Sequence, residues 1–212
     1  MTWVAEVDPS WTVAGQHDPR AAWLRAVPYF AGCIVVAAIG GALTRSPLDT
    51  HHVSDLSWWA QTAAVLVVEL VAYWVIWPRG TFTLDRELSP YSTLFGLLWG
   101  LCQGLLFATV ALHLPAWLAW LVLAAFQGCF HALWWDRKVA PAHNVPAWNL
   151  RKVLLCHTPN LIAALCWWSA WHDVGPFVLF QVIALVGSAR AMRFPAPITG
   201  ASQGADPAQV PA

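Results

Sequence analysis

The chain has 212 residues, of which 58% are hydrophobic and 10% are charged, and its formal net charge is zero. A soluble domain carries about 25% charged residues, so this composition excludes a water-soluble globule and predicts an all-α, polytopic membrane protein. The charges show no acidic or basic excess, which argues against a nucleic-acid partner. The expected partners are membrane lipid and a hydrophobic small-molecule substrate, and the oligomeric state is left open.

Residues 1–25 are predicted to be a cytoplasmic N-terminal segment. They contain acidic residues and prolines and no apolar core, so they do not resemble a cleavable signal peptide. The first span is therefore expected to act as an uncleaved signal anchor. Asp18 can cap a helix and Pro19 suits its first position, which predicts a short helix lying along the membrane surface.

Six apolar runs form the predicted transmembrane domain, residues 26–192. Each has 18–21 residues, which is enough to cross a hydrocarbon core of about 30 Å. Residues 193–212 are rich in Pro, Ala, Gly and Gln and are predicted to be a disordered cytoplasmic tail. The predicted spans are Ala26–Leu43, Trp58–Trp77, Thr93–Leu112, Pro115–Trp135, Val153–Trp171 and Val174–Met192.

The basic residues orient these six spans. If the N-terminus is cytoplasmic, ten of the eleven Lys and Arg residues fall in the inner segments and only Arg45 falls in an outer one. Positive charge accumulates on the cytoplasmic side, so this bias predicts an N-in, C-in topology in a cell membrane, plasma or inner. The inner basic residues are Arg20, Arg25, Arg79, Arg86, Arg137, Lys138, Arg151, Lys152, Arg190 and Arg193.

Glu69 is the only charged residue at the centre of a predicted span. Burying a carboxylate there costs roughly 2.5–3.5 kcal/mol on insertion scales, so the side chain is expected to face the bundle interior, beside a polar partner from another helix. The candidate partners are Gln103, Gln127 and His131. Tyr73, one turn away on the same face, is a further candidate for a hydrogen bond. The alternative role is a neutral acid that bonds helices together.

Span 3 carries glycines at four-residue intervals, a spacing that lets the backbone of a neighbouring helix approach closely. Amide side chains also recur near the middle of three spans, where each must find a hydrogen-bond partner. Bonding between helices explains each amide singly, whereas the set, together with Glu69, indicates a partly polar interior. The glycines are Gly96, Gly100 and Gly104, and the amides are Gln103, Gln127 and Gln181.

Two histidines lie near the predicted cytoplasmic ends of consecutive spans, His131 in span 4 and His157 in span 5. Asp136 and His143 lie in the loop between them, and such side chains can ligate zinc, iron or copper. No pair has the spacing that places two ligands on one helical face, so no metal is assigned and metal binding stays open. Acid–base use and structural hydrogen bonding are the alternatives.

Sixteen tryptophans are a large excess for a chain of this length. Most fall near predicted span ends and are interpreted as an interfacial belt. Trp74 and Trp99 lie deeper and could instead line an aromatic pocket. The tryptophans assigned to the belt are Trp58, Trp59, Trp77, Trp117, Trp134, Trp135, Trp167, Trp168 and Trp171.

Pro159 is predicted to kink span 5 and to free the carbonyl of Leu155. Asn160 and His157 flank the kink, and polar side chains beside a proline break often line a cavity. A capped and kinked helix without any such function is the alternative.

The leading hypothesis is a membrane-embedded enzyme that cyclises or isomerises a lipid or isoprenoid-like substrate. Glu69 would be the general acid, and His131 or His157 the base. A small proton-coupled transporter and a non-catalytic subunit of a membrane complex are the alternatives. The sequence has no strong cofactor motif, so the cofactor is unassigned. The predicted substrate-binding residues are Tyr73, Trp74, Trp99, Gln103, Gln127 and Asn160.

The acid and the bases are predicted to share one site. At 1.5 Å per residue, Glu69 should lie roughly 6 Å deeper than His131 and His157. Side chains of this length can bridge such a gap directly or through one water, provided that spans 2, 4 and 5 share an interior.

Overall fold

A computed structural model describes residues 19–80, 90–130 and 149–192 of the chain. Within these three ranges the chain forms helices and turns and no strand, which confirms the all-α class. Several predictions fall outside the described residues: the roles of His131, Asp136 and His143, most of the N-terminal segment, and the tail after residue 192.

Seven α-helices occur in the described ranges, together with two π-helical segments. One segment continues the second helix, and the other leads into the sixth. The first π-helical segment is Leu70–Ile76, followed by a 3₁₀ turn at Trp77–Gly80, and the second is Val153–His157. The α-helices are α1 (Pro19–Ile39), α2 (Leu56–Glu69), α3 (Pro90–His113), α4 (Ala116–Phe130), α5 (Asn149–Lys152), α6 (Thr158–Trp171) and α7 (Val174–Met192).

Four continuous helical stretches are long and apolar enough to cross a membrane, and they match predicted spans 2, 3, 5 and 6. The stretches that match spans 1 and 4 are shorter, Ala26–Ile39 and Ala116–Gln127. The chain is therefore compatible with an integral membrane protein. The four longer stretches are Leu56–Arg79, Pro90–His113, Leu150–Trp171 and Val174–Ala191.

Helix α1 differs from its prediction at both ends. It begins at Pro19 and continues through residue 26 to Ile39, so the expected surface helix and the first span are one helix. It ends before the predicted Leu43 because Gly41 has φ +77°, a left-handed conformation that glycine adopts without steric cost.

The glycines of α3 lie at its contact with α7. A Cβ atom built on Gly96 would lie 2.6 Å from Val186 Cα. A Cβ atom built on Gly100 would lie closer still to Val182 Cα. Helices α3 and α7 therefore pack backbone against backbone, as the four-residue spacing predicts. Glycine has no side-chain carbon at these crossing points, and this allows the two helix backbones to approach closely.

The tryptophans divide into two groups, so the belt interpretation is wrong for several of them. Trp59 and Trp117 are 50% and 67% exposed, as side chains at a membrane interface would be. Four others assigned to the belt are buried inside the bundle, where their large apolar area fills the core. These four are Trp58, Trp77, Trp167 and Trp168.

Each π-helical segment ends two residues before a proline. A proline ring clashes with the carbonyl group four residues earlier, and that residue is Trp74 for Pro78 and Leu155 for Pro159. Both residues lie inside the π-helical segments, where the wider turn accommodates the ring and the missing N–H group. The kink predicted at Pro159 is thus a widened turn, and a second one precedes Pro78.

Four histidines mark one end of the bundle, the histidine end, which consists of segment 40–55 and the turns His113–Pro115 and His172–Asp173. Buried Asp173 holds segment 40–55 against the helices. Its carboxylate accepts hydrogen bonds from the backbone N–H of Asp49 at 2.9 Å, from His52 Nδ1 at 2.9 Å and from Trp58 Nε1 at 3.2 Å. The basic residues Arg79, Arg151, Lys152 and Arg190 lie at the opposite, arginine end of the helices.

We expect the stabilisation provided by His52 to be lost as pH rises. The hydrogen bond to Asp173 raises the pKa of His52 above its ordinary value of 6.5, so folding favours the protonated ring. The contribution is complete below the unfolded pKa and disappears as pH rises through the folded pKa. Melting temperatures of wild type and His52→Gln in detergent, from pH 5.5 to 9, should converge at high pH.

The control is His51→Gln, because the His51 ring makes no hydrogen bond to any described residue. A constant difference between wild type and His52→Gln across this pH range would contradict the expectation.

Candidate functional site

A hydrogen bond between Tyr73 and His157 joins the two π-helical segments inside the bundle. Tyr73 Oη lies 2.9 Å from His157 Nδ1, and the two side chains are 1% and 3% exposed. Widened π-helical turns occur frequently at functional sites. Both members of this pair lie on such turns, each of which is followed by a proline.

Two amides extend this hydrogen bond into a network. Asn160 Nδ2 donates to Tyr73 Oη at 3.2 Å, and Gln181 Nε2 donates to Asn160 Oδ1 at 3.1 Å. While Tyr73 accepts from Asn160, its own hydroxyl proton can be donated to His157 Nδ1 when that nitrogen carries no hydrogen. The result is a polar chain from α7 through α6 to the two π-helical segments.

Glu69 is fully buried at the last position of α2, one turn before Tyr73, which confirms that it faces the interior. Neither carboxyl oxygen has a hydrogen-bond partner among the described residues. The predicted bonds to Gln103, Gln127 and Tyr73 are therefore wrong, and His131 lies outside the described residues. The hydroxyl of Tyr73 is engaged by His157 and Asn160 instead. A buried acceptor without a partner is costly, and within the described ranges the Glu69 carboxyl group bonds no helix to another.

Further side chains surround the Tyr73–His157 pair. The Trp77 ring meets the His157 ring edge-on at 5.2 Å between centroids, and Lys152 Nζ lies 4.5 Å from the Trp77 ring centroid. Cys156 Sγ donates to the carbonyl of Ala72 at 3.1 Å. Lys152 is only 2% exposed, so a buried cation lies at the edge of this cluster.

Gln103 and Trp99 belong to a different cluster. Gln103 Oε1 accepts hydrogen bonds from Trp99 Nε1 at 2.9 Å and from Tyr29 Oη at 3.0 Å. Trp99 packs with Phe95 and Trp23 between α1, α3 and α7. These contacts occupy the predicted aromatic pocket with the protein's own side chains.

Trp74 and Gln127 also lie outside the Tyr73–His157 network. Trp74 Nε1 donates to the carbonyl of Ile183 at 2.9 Å, and the Arg190 guanidinium lies 5.2 Å from its ring centroid. Gln127 is buried on α4, and its Oε1 has no partner among the described residues. Of the predicted site residues, the described structure therefore groups Glu69, Tyr73, His157 and Asn160.

The sequence reasoning overlooked four members of this cluster, namely Gln181 as a site residue, Trp77, Lys152 and Cys156. Their spacing carried a usable signal. Trp77 lies four residues after Tyr73, and Lys152 and Cys156 precede His157 by five residues and one residue. In a π-helical turn, residues about four to five apart share a face, so the first two spacings would have placed Trp77 and Lys152 on the site side.

The arrangement supplies the parts of an acid–base site in a water-poor interior. Glu69 and Tyr73 each carry an acidic proton, and His157 Nδ1 is the ring nitrogen next to the Tyr73 hydroxyl. No family model, curated protein or solved structure matches this chain. Its function therefore has to be inferred from the chemistry of its own residues.

Proposed function

We propose that this chain is a membrane-embedded enzyme that cyclises or isomerises a lipid or isoprenoid-like substrate by proton transfer. One observation carries the proposal: a hydrogen-bonded Tyr73–His157 pair lies one helical turn from Glu69, a fully buried carboxyl group that makes no hydrogen bond within the described ranges. A side chain kept unpaired at that depth is available to a ligand.

The chemistry balances without an oxidant, a reductant or a metal ion. Glu69 donates a proton to one carbon of a substrate double bond and forms a carbocation. Tyr73 Oη removes a proton from another carbon while it passes its own proton to His157 Nδ1. Transfer of a proton from His157 back to Glu69 after the product leaves restores the starting state. Positioned general acids and bases of this kind contribute about 10²–10⁴-fold each. His131 is the second candidate base.

The apolar outer face beside the cluster supports a substrate that arrives from the lipid. On the side of the first π-helical segment that faces away from the bundle, Leu70, Val71 and Val75 are each close to half exposed. On the second segment, Leu154 and Leu155 are also about half exposed. A hydrophobic substrate can therefore reach the two π-helical segments laterally, without crossing water.

We further propose six spans in an N-in, C-in topology, in a plasma or inner membrane. Four helices meet the length that a crossing requires, and α1 and α4 supply the two shorter crossings. With this orientation the histidine end faces outward and the arginine end faces the cytoplasm, which agrees with the positive-inside rule. The acid–base cluster then lies in the cytoplasmic half.

The topology predicts the labelling of single cysteines in a chain whose five native cysteines have been replaced. A cysteine at Ser54, in the exposed segment 40–55, should react with a membrane-impermeant maleimide in intact cells. A cysteine at exposed Arg79 should react only after the membrane is permeabilised. Labelling of both positions, or of Arg79 alone, in intact cells would overturn the proposed orientation.

The proposed reaction is tested by comparing lipid extracts of cells with and without the protein. Cyclisation and isomerisation conserve every atom, so substrate and product have the same mass and differ in chromatographic retention. We expect one pair of equal-mass species whose ratio changes when the protein is produced. Extracts in which no such pair changes would contradict the enzyme.

A proton-coupled transporter is the second candidate, and one observation favours it. The hydrogen bonds His157–Tyr73–Asn160–Gln181 form a continuous polar chain across four helical elements. Proton flux into vesicles that contain the purified protein, measured with a pH-sensitive dye, would support transport if Glu69→Gln abolished it. If the protein were a non-catalytic subunit of a complex, Glu69 would be expected to be paired or to face outward. Glu69 is instead fully buried and makes no hydrogen bond to any described residue.

A further inference from the structure

The histidine end contains a cavity that takes no part in the proposed acid–base chemistry. Its volume is about 680 Å³, within the range of roughly 300–1,000 Å³ that is usual for small-molecule sites. Segment 40–55 and the turns before α4 and α7 enclose it. Its polar and aromatic lining includes Arg45, Asp49, His52, His113, Trp168 and His172.

Arg45 is the residue that most needs an explanation. It is the only basic residue outside the predicted inner segments, and it lines this cavity. Its guanidinium makes no hydrogen bond or ion pair with any described residue. A guanidinium presents five N–H donors in a planar fork that matches the oxygens of phosphate and carboxylate groups, so this side chain is available to an oxyanion.

Two imidazoles also line the same cavity. His113 Nε2 donates to the carbonyl of Gly40 at 2.9 Å, so the hydrogen of this neutral ring is already engaged. His172 makes no hydrogen bond to a described residue through its ring, which packs edge-on against Trp168 with centroids 5.6 Å apart. Its backbone is left-handed, with φ 57°, a conformation that for a residue other than glycine is uncommon and often found at functional sites.

The carboxylates of the cavity are largely engaged with the protein. Both oxygens of Asp173 accept hydrogen bonds, one of them from His52, and one oxygen of Asp49 accepts from the backbone N–H of His51. When His52 is protonated, Arg45 and His52 balance these two carboxylates. The hydrogen bond to Asp173 raises the pKa of His52, so this ring loses its proton as pH rises and the cavity should then hold an anion less tightly.

We propose that this cavity binds a phosphate monoester that carries an apolar group. The phosphate contacts Arg45 and His172, and the apolar group lies against Trp168 and Leu112, which also line the cavity. A lipid headgroup and a free organic phosphate share this chemistry. The site is separate from the Tyr73–His157 cluster, so the proposal does not depend on the proposed function.

The test uses the full chain in detergent and in lipid nanodiscs. Tryptophan fluorescence is titrated with phenyl phosphate, and native mass spectrometry follows the retention of phosphatidic acid against phosphatidylcholine. We expect saturable binding of at least one phosphate monoester, tighter at pH 6 than at pH 8, because His52 loses its proton as pH rises. Binding of phenyl phosphate identifies a free ligand, and retention of phosphatidic acid alone identifies a lipid.

Arg45→Gln and His172→Asn are the test variants, since asparagine tolerates the left-handed backbone. Each should weaken binding at least tenfold and leave the melting temperature without ligand unchanged. Arg79→Gln, an exposed arginine at the opposite end, is the control and should bind like wild type. Absence of saturable binding by either probe, or equal binding by wild type and Arg45→Gln, would overturn the proposal.

Discussion

Replacing Gly100 with alanine should destabilise the protein by roughly 1–3 kcal/mol, the usual cost of forcing a methyl group into a close-packed contact. The added Cβ would overlap Val182 Cα and would lie 2.9 Å from the carbonyl oxygen of Gln181. Both obstacles are backbone atoms, so no side-chain rotation can relieve the overlap. Helices α3 and α7 must move apart along their whole contact. Reversible unfolding in mixed micelles measures this loss.

Gly32 provides the matched control for this substitution. It lies inside α1, and no atom of another described element lies within 4 Å of a Cβ built on it. Gly32→Ala should therefore be neutral or stabilising by up to about 1 kcal/mol, because alanine favours a helix over glycine. If Gly100→Ala were as stable as Gly32→Ala, the backbone contact between α3 and α7 would be wrong.

Replacing Glu69 with glutamine should lower substrate conversion about 10²–10⁴-fold, the usual contribution of a general acid. Glutamine has the shape of glutamic acid but has no acidic proton to donate. The readout is the ratio of the equal-mass lipid pair in cells that produce each variant at the same level. Thr109→Val is the control, since Thr109 is also buried and its hydroxyl donates to the carbonyl of Leu105, outside the Tyr73–His157 cluster.

The stability of a second variant separates function from structure at the same position. If Glu69 bonds helices together, Glu69→Met should be less stable than wild type. If Glu69 is held unpaired for catalysis, Glu69→Met should be about 1–3 kcal/mol more stable, because it removes a buried polar group that lacks a partner. An active Glu69→Gln, or a destabilised Glu69→Met, would contradict the assigned role.

The sequence predicted the parts of the fold that depend on periodic or local patterns. The four-residue glycine spacing predicted the close contact made by α3, and the start of α1 at Pro19 followed from a local helix signal. The partner of α3 could not be predicted, because helix order around a bundle depends on packing between segments that are distant in the chain. The burial of Trp58, Trp77 and Trp167 was missed for the same reason. Proximity to a span end does not say which face of a helix meets lipid.

The sequence identified several residues of the candidate site but only some of the contacts between them. Glu69 and His157 were identified because polar groups at membrane depth are costly. The bond between Tyr73 and His157 was missed because a regular α-helix places Tyr73 beneath Glu69, whereas both residues of the pair lie in widened turns that precede Pro78 and Pro159. Reading each proline as a widened turn four residues upstream would have indicated that pairing.

Proton transfer to the substrate is tested most directly by running the reaction in deuterated water. Membranes that contain the wild-type protein are incubated in D₂O with the lipid fraction that holds the equal-mass pair, and the product is analysed by mass spectrometry. Exchange loads Glu69 with deuterium, so the account predicts product that is one mass unit heavier, with no conversion by Glu69→Gln. Product formed without deuterium, or formed equally by Glu69→Gln, would contradict an acid–base reaction at this site.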